Sequence, residues 1–116
     1  MKWLRRHLVY LAAAVILVLN LTDAVSAHYL VSGSMAPAYP TGSVMIISRL
    51  VKPEPGRICA YLHSGNTVIH RIEEETENGY IFKGDANNMA DPYIVTKEEI
   101  EGGLLIGLPF PFMKEN

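Results

Sequence analysis

Thr67-Val68-Ile69-His70-Arg71-Ile72, the polar Glu73 to Asn78, and then Gly79-Tyr80-Ile81-Phe82-Lys83 form the stretch whose reading decides the fold. The first run alternates as a half-buried strand does. Asn78-Gly79 is a strong hairpin signal, because both residue types tolerate the positive φ of a tight turn. Tyr80 to Lys83 is the return strand, ended by Gly84-Asp85. Working upstream, Arg57 to Leu62 is a further strand with His63-Ser64-Gly65-Asn66 as its turn, and Val44 to Ile47 is another. Between them Lys52-Pro53-Glu54-Pro55-Gly56 is a loop, its prolines excluding regular structure. Downstream, Ala86 to Pro92 reads as an irregular polar loop and Tyr93 to Val95 as a short strand. Thr96-Lys97-Glu98-Glu99 reads as a capping-box start to one helical turn. Gly103 to Leu108 and Phe110 to Phe112 read as a β-type run broken by Pro109 and Pro111. Short strands punctuated by glycine and proline turns predict a mainly β domain.

The chain has 116 residues, enough for one small domain, and a formal net charge of −2. That balance supplies neither a basic face for nucleic acid nor an acidic tail. The single cysteine, Cys59, excludes an internal disulfide and a cysteine-based zinc site. Its apolar surroundings, Ile58 to Leu62, point to a buried structural thiol. No His-x-x-x-His or Cys-x-x-Cys pair occurs, and Glu73-Glu74-Glu75 reads as a solvated hairpin face. No glycine-rich phosphate loop is present either. Neither a metal nor a cofactor is expected.

The N-terminus bears on the compartment. Met1 to Arg6 is basic, and Leu8 to Leu19 is apolar throughout apart from Tyr10. Asn20, Thr22 and Asp23 then dilute the pattern before Ala24-Val25-Ser26-Ala27. A dozen apolar residues match a signal-peptide core, and Val25 with Ala27 makes a small-residue cleavage site. A helix over 7–27 instead has the roughly 20 residues of a membrane span, with Arg5 and Arg6 cytoplasmic and Trp3 at the interface. On that reading residues 1–6 are a basic tail, 7–27 the anchor and 28–116 an extracytoplasmic domain. Both readings place everything after Ala27 outside the cytoplasm.

Three features could carry chemistry. Ser32-Gly33-Ser34-Met35-Ala36-Pro37 is a bent loop presenting hydroxyls at the edge of a sheet, a pattern that is usually only a turn. His70 lies inside an apolar strand, either as a satisfied half-buried side chain or as a base on a rigid element. Asp85 and Asp91 bracket the polar loop and singly are ordinary turn residues. Pro92 holds Asp91 extended and so fixes its direction. A serine in a bent loop, a strand histidine and a constrained aspartate are the ingredients of a nucleophile, base and orienter. Composition does not show whether they meet in space.

Taken together, the boxes Val31 to Pro37, Gly42-Ser43-Val44, Val68 to Ile72, Lys83 to Asn88 with Asp91, and Gly102 to Phe110 resemble the type I signal peptidases of the endoplasmic-reticulum branch. The resemblance runs from about Leu30 to Pro111 and implies a small signal-peptidase-like β domain with an N-terminal transmembrane helix. Ser34 matches the nucleophile, and His70 stands where most bacterial members carry a lysine base. Asp91 is the better match for the aspartate paired with that histidine, and Asp85 for a supporting residue. Ser32 matches the hydroxyl that shares the oxyanion hole with the Ser34 N–H, and Met35 a hydrophobic residue near the substrate pocket. The resemblance implies cleavage of preprotein signal peptides by an enzyme anchored once in the cell membrane, with its catalytic domain outside. Ser34 follows Ala27 by seven residues, at most about 25 Å of chain, which would keep the site beside the bilayer. The sequence reaches Asn116 without the second span of many relatives, and the oligomeric state is not legible. The other readings are a secreted non-enzymatic β domain released after Ala27 and an inactive shortened homologue. A self-cleaving repressor-type peptidase would need a lysine base and a DNA-binding domain, and the sequence shows neither.

Overall fold

The computed structural model describes residues 1–21 and 24–109. An N-terminal helix, α1 (Lys2–Leu21), precedes six strands: β1 (Val25–Tyr29), β2 (Val44–Ser48), β3 (Ile58–His63), β4 (Asn66–Thr76), β5 (Gly79–Lys83) and β6 (Ile100–Leu108). All lie in one antiparallel sheet in the order β1-β2-β6-β3-β4-β5. The last described strand therefore lies in the middle of the sheet.

β3 sets the core. Its side chains are buried on both faces, and their alternation sorts them into two clusters. Ile58 and Ala60 join Leu30, Met35, Met45, Ile47 and Ile69. Cys59 and Tyr61 join Ile72, Tyr80, Phe82 and Val95. The β4–β5 hairpin turns at Gly79, where φ is +148° and a Cβ would collide with the Val95 carbonyl. Only glycine fits both conditions. The short strand expected over Tyr93 to Val95 is reduced to a single bridge between Tyr80 and Val95. The expected helical turn is a 3-10 turn, Lys97–Glu99, with the Thr96 N–H donating to the Glu99 carboxylate at 2.9 Å. The run Phe110 to Phe112 lies outside the described residues.

The N-terminal expectation needs correcting. The helix ends at Leu21, and Val25–Tyr29 is a strand whose partners run from Ser48 to Val44, so 7–27 is not one helix. Among the described residues no helix is long and apolar enough to cross a membrane. The reason is chemical: Lys2, Arg5, Arg6 and His7 occupy the first turns. The apolar part, Leu8 to Leu19, spans roughly 18 Å at 1.5 Å per residue, against about 30 Å of hydrocarbon. A cut after Ala27 would fall inside β1, between residues paired with Ile46 and Met45. α1 nonetheless keeps every residue from 1 to 18 exposed.

Candidate active site

Ser34 sits in the turn-rich segment between β1 and β2. Met35, next to it, is fully buried among Leu30, Met45 and Ile47. The Ser34 carbonyl accepts from the Ala86 N–H at 2.8 Å, which ties the serine loop to the loop after β5. That approach is close because residue 84 is glycine. A Cβ there would lie 2.9 Å from the Ser34 carbonyl oxygen and 3.1 Å from His70 Nε2.

His70 comes from the middle of β4, opposite Cys59 of β3, and its side chain is only 12% exposed. Its Nδ1 lies 2.7 Å from Asp91 Oδ2 and its Nε2 lies 3.2 Å from Ser34 Oγ. A carboxylate only accepts, so Nδ1 carries the proton and Nε2 turns its lone pair to the serine hydroxyl. Asp91 is 9% exposed at its side chain, and its backbone N–H donates to the Phe82 carbonyl at 2.8 Å. Loop 84–92 is thus held to the end of β5 while its aspartate points back at β4.

The structure brings Ser34, His70 and Asp91 into one hydrogen-bonded line, although 36 residues separate the first pair and 21 the second. Asp85 lies elsewhere. It receives two hydrogen bonds from Arg71, Nε at 2.9 Å and Nη2 at 2.8 Å, and this bidentate pair holds its carboxyl below the usual range. Arg71 also donates to the Gly56 carbonyl at 2.9 Å, so the pair clamps two loops onto β4.

Ser32 is exposed, with its hydroxyl 3.2 Å from Ser34 Oγ and its oxygen 3.5 Å from the Ser34 N–H. Both expected oxyanion donors therefore lie beside the serine hydroxyl. Met35, expected to lie near the substrate pocket, is fully buried and anchors the serine loop in the core. Sequence reasoning missed Tyr61, whose hydroxyl donates to Asp91 Oδ2 at 2.5 Å and lies 2.8 Å from the Tyr93 hydroxyl. Burial and the Asp91 carboxylate push its phenol well above the ordinary range. A tyrosine in an apolar strand gave no sign of a partner 30 residues away. His63, read as a turn residue, ends β3 and stacks on Tyr93 with ring centroids 3.8 Å apart. Among the described residues no group of three or more His, Cys, Asp or Glu could hold a metal ion.

A small antiparallel β domain with a serine, a histidine and a carboxylate in hydrogen-bonded sequence is the architecture of a serine peptidase. The model of the Peptidase S24-like family matches residues 10–104, and the chain belongs to that family. The match supports serine-peptidase activity at that level and the broad grouping that includes type I signal peptidases, without singling out their endoplasmic-reticulum branch. No curated protein matches the chain significantly.

Proposed function

We propose that this chain is a serine endopeptidase that removes signal peptides from exported preproteins. Ser34 is the nucleophile, His70 its general base and Asp91 the group that orients the imidazole. The observation that carries the reading is the line from Ser34 Oγ through His70 to Asp91 Oδ2. With Nδ1–H held by Asp91, Nε2 takes the Ser34 proton as Oγ attacks the scissile carbonyl. The Ser32 hydroxyl and the Ser34 N–H turn from each other to the oxyanion. His70 then protonates the leaving amine, and water, activated by the same nitrogen, releases the acyl group. A histidine at the base position favours a signal peptidase over a repressor-type self-cleaving peptidase, where a lysine would stand.

Membrane attachment belongs to the same proposal. Leu8, Leu11 and Ile16 of α1 are 56%, 61% and 59% exposed, and the basic residues gather at its first turns. We place α1 in the lipid of the cell membrane, with the β domain on the extracytoplasmic side, where preproteins emerge. Full-length protein should float with anionic vesicles, and protein lacking residues 1–21 should not.

The enzymatic reading is tested with full-length protein in detergent and a small preprotein panel scored for the cut position. Ser34→Ala and His70→Ala should each lower cleavage by at least about a thousandfold. His28→Ala, in β1, should leave it unchanged. Undiminished cleavage by Ser34→Ala would end the peptidase reading.

A further inference from the structure

Tyr61 approaches the Ser34–His70–Asp91 line from its buried side. In the β3–β4 ladder Cys59 stands opposite His70 and Tyr61 opposite Val68, so Tyr61 and His70 are diagonal neighbours on one face. The Tyr61 side chain is fully buried, its ring edge-on to the imidazole with centroids 6.5 Å apart. Its hydroxyl donates to Asp91 Oδ2, the same oxygen that accepts from His70 Nδ1. A phenol has one hydrogen, and Tyr61 has given it to Asp91. Tyr93 must therefore be the donor in the 2.8 Å contact between the two hydroxyls. Tyr93 in turn lies nearly parallel to His63, at an interplanar angle of 6°.

We propose that Tyr61 is a positioning residue of this site, holding the Asp91 carboxylate against His70, with Tyr93 donating to Tyr61 and His63 steadying Tyr93. The proposal rests on the peptidase reading given above. A carboxylate held by one side-chain donor can rotate about its last bond, and a second donor on the same oxygen removes that freedom. Each donor in the chain also polarises the next, so the charge on Oδ2 is shared between the imidazole and the phenol. Without the phenol the carboxylate holds its full charge for His70 and favours the imidazolium, which cannot act as a base.

Tyr61→Phe removes none of the other charged or titratable groups around His70. They are Cys59 across β3, Arg71 beside it on β4, and Lys83 and Asp85 at the end of β5. Tyr61→Phe removes the phenol donor to Asp91 and, with it, the acceptor of the Tyr93 hydroxyl.

The test uses full-length protein in detergent and a cleavable preprotein. Tyr61→Phe should lower kcat about tenfold with KM within about twofold, and should move the acidic limb of the kcat/KM profile to higher pH. Tyr93→Phe should do the same to a smaller extent. In an Asp91→Asn background Tyr61→Phe should cost nothing further, because it acts through Asp91. Additive losses in that background, or an unmoved acidic limb, would overturn the proposal. If the parent protein proves as inactive as Ser34→Ala, the peptidase reading fails separately. The resting protein then decides the contact, through the far-downfield proton resonance of His70 Nδ1–H. Tyr61→Phe should shift that resonance, and an unshifted line overturns the proposal. Should Tyr61→Phe fail to fold, Tyr93→Phe carries both readouts.

Discussion

At the scale of single residues, Gly84 and Asp85 are adjacent and do different things. Gly84 lets the loop after β5 pass against the serine loop. A side chain there meets the Ser34 carbonyl oxygen, which is backbone and cannot swing away. Gly84→Ala should therefore separate Ser34 from His70 and lower kcat by at least about tenfold while the protein stays folded, checked by turnover and melting temperature together. Asp85 is a matter of stability. Its carboxyl is held low by Arg71, so its contribution is present above the unfolded value, about pH 4, and is lost as pH falls through the lower folded value. The Arg71 side chain is 38% exposed, so screening reduces the pair to roughly 1 kcal/mol. Asp85→Asn should lose that amount at neutral pH and flatten the acid side of the urea-midpoint profile. An unchanged profile would show that the clamp contributes nothing.

At the scale of elements, β1 separates the helix from the domain. Protein starting at Ala24 should keep the full sheet. Protein starting at His28 should lose the pairing of Val25, Ser26 and Ala27 with β2. At about 1 kcal/mol per net hydrogen bond the second should melt several degrees lower than the first. Equal melting temperatures would mean that β1 adds nothing to the sheet. This strand was not legible in the sequence. Ala24 to Ala27 follows a diluted apolar segment and mimics a cleavage site, and only its distant partner, β2, makes it a strand. β2, β3 and the β4–β5 hairpin were legible because apolar runs bounded by glycine and proline turns, the alternation over residues 67–72 and the Asn78-Gly79 turn are local signals. Ser34, His70 and Asp91 could be singled out from their loop and strand settings and from the order of the boxes. The hydroxyls of Tyr61 and Tyr93 could not, since nothing within their own strand or loop names Asp91. Met35 neighbours the serine in sequence, and its side chain turns into the core.

At the scale of the whole molecule, both core clusters meet β3, and the second also carries protons whose release opposes folding. Phe82 is fully buried there, and Phe82→Ala should cost about 3–5 kcal/mol by denaturant titration. Burial pushes the Cys59 thiol up to about 11, and the Tyr61 phenol is raised as well. Both groups keep their protons when folded and release them more readily when unfolded. Their contribution is intact below the unfolded values and is lost as pH rises beyond about 9 toward the folded ones. The urea midpoint should therefore fall between pH 7 and pH 10, and Cys59→Ala should lessen the fall. Native Cys59 should also resist thiol alkylation at neutral pH.

The position of β6 has a consequence in time. Ser34 belongs to the β1–β2 side of the sheet and His70 to the β3–β4–β5 side, and within the sheet it is β6 that hydrogen-bonds to both β2 and β3. A ribosome makes β6 after the other described strands, so a chain still being synthesised has Ser34 and His70 on two halves not yet zipped together. On the peptidase reading, the sheet that carries Ser34 and His70 is continuous only once Ile100–Leu108 has been made.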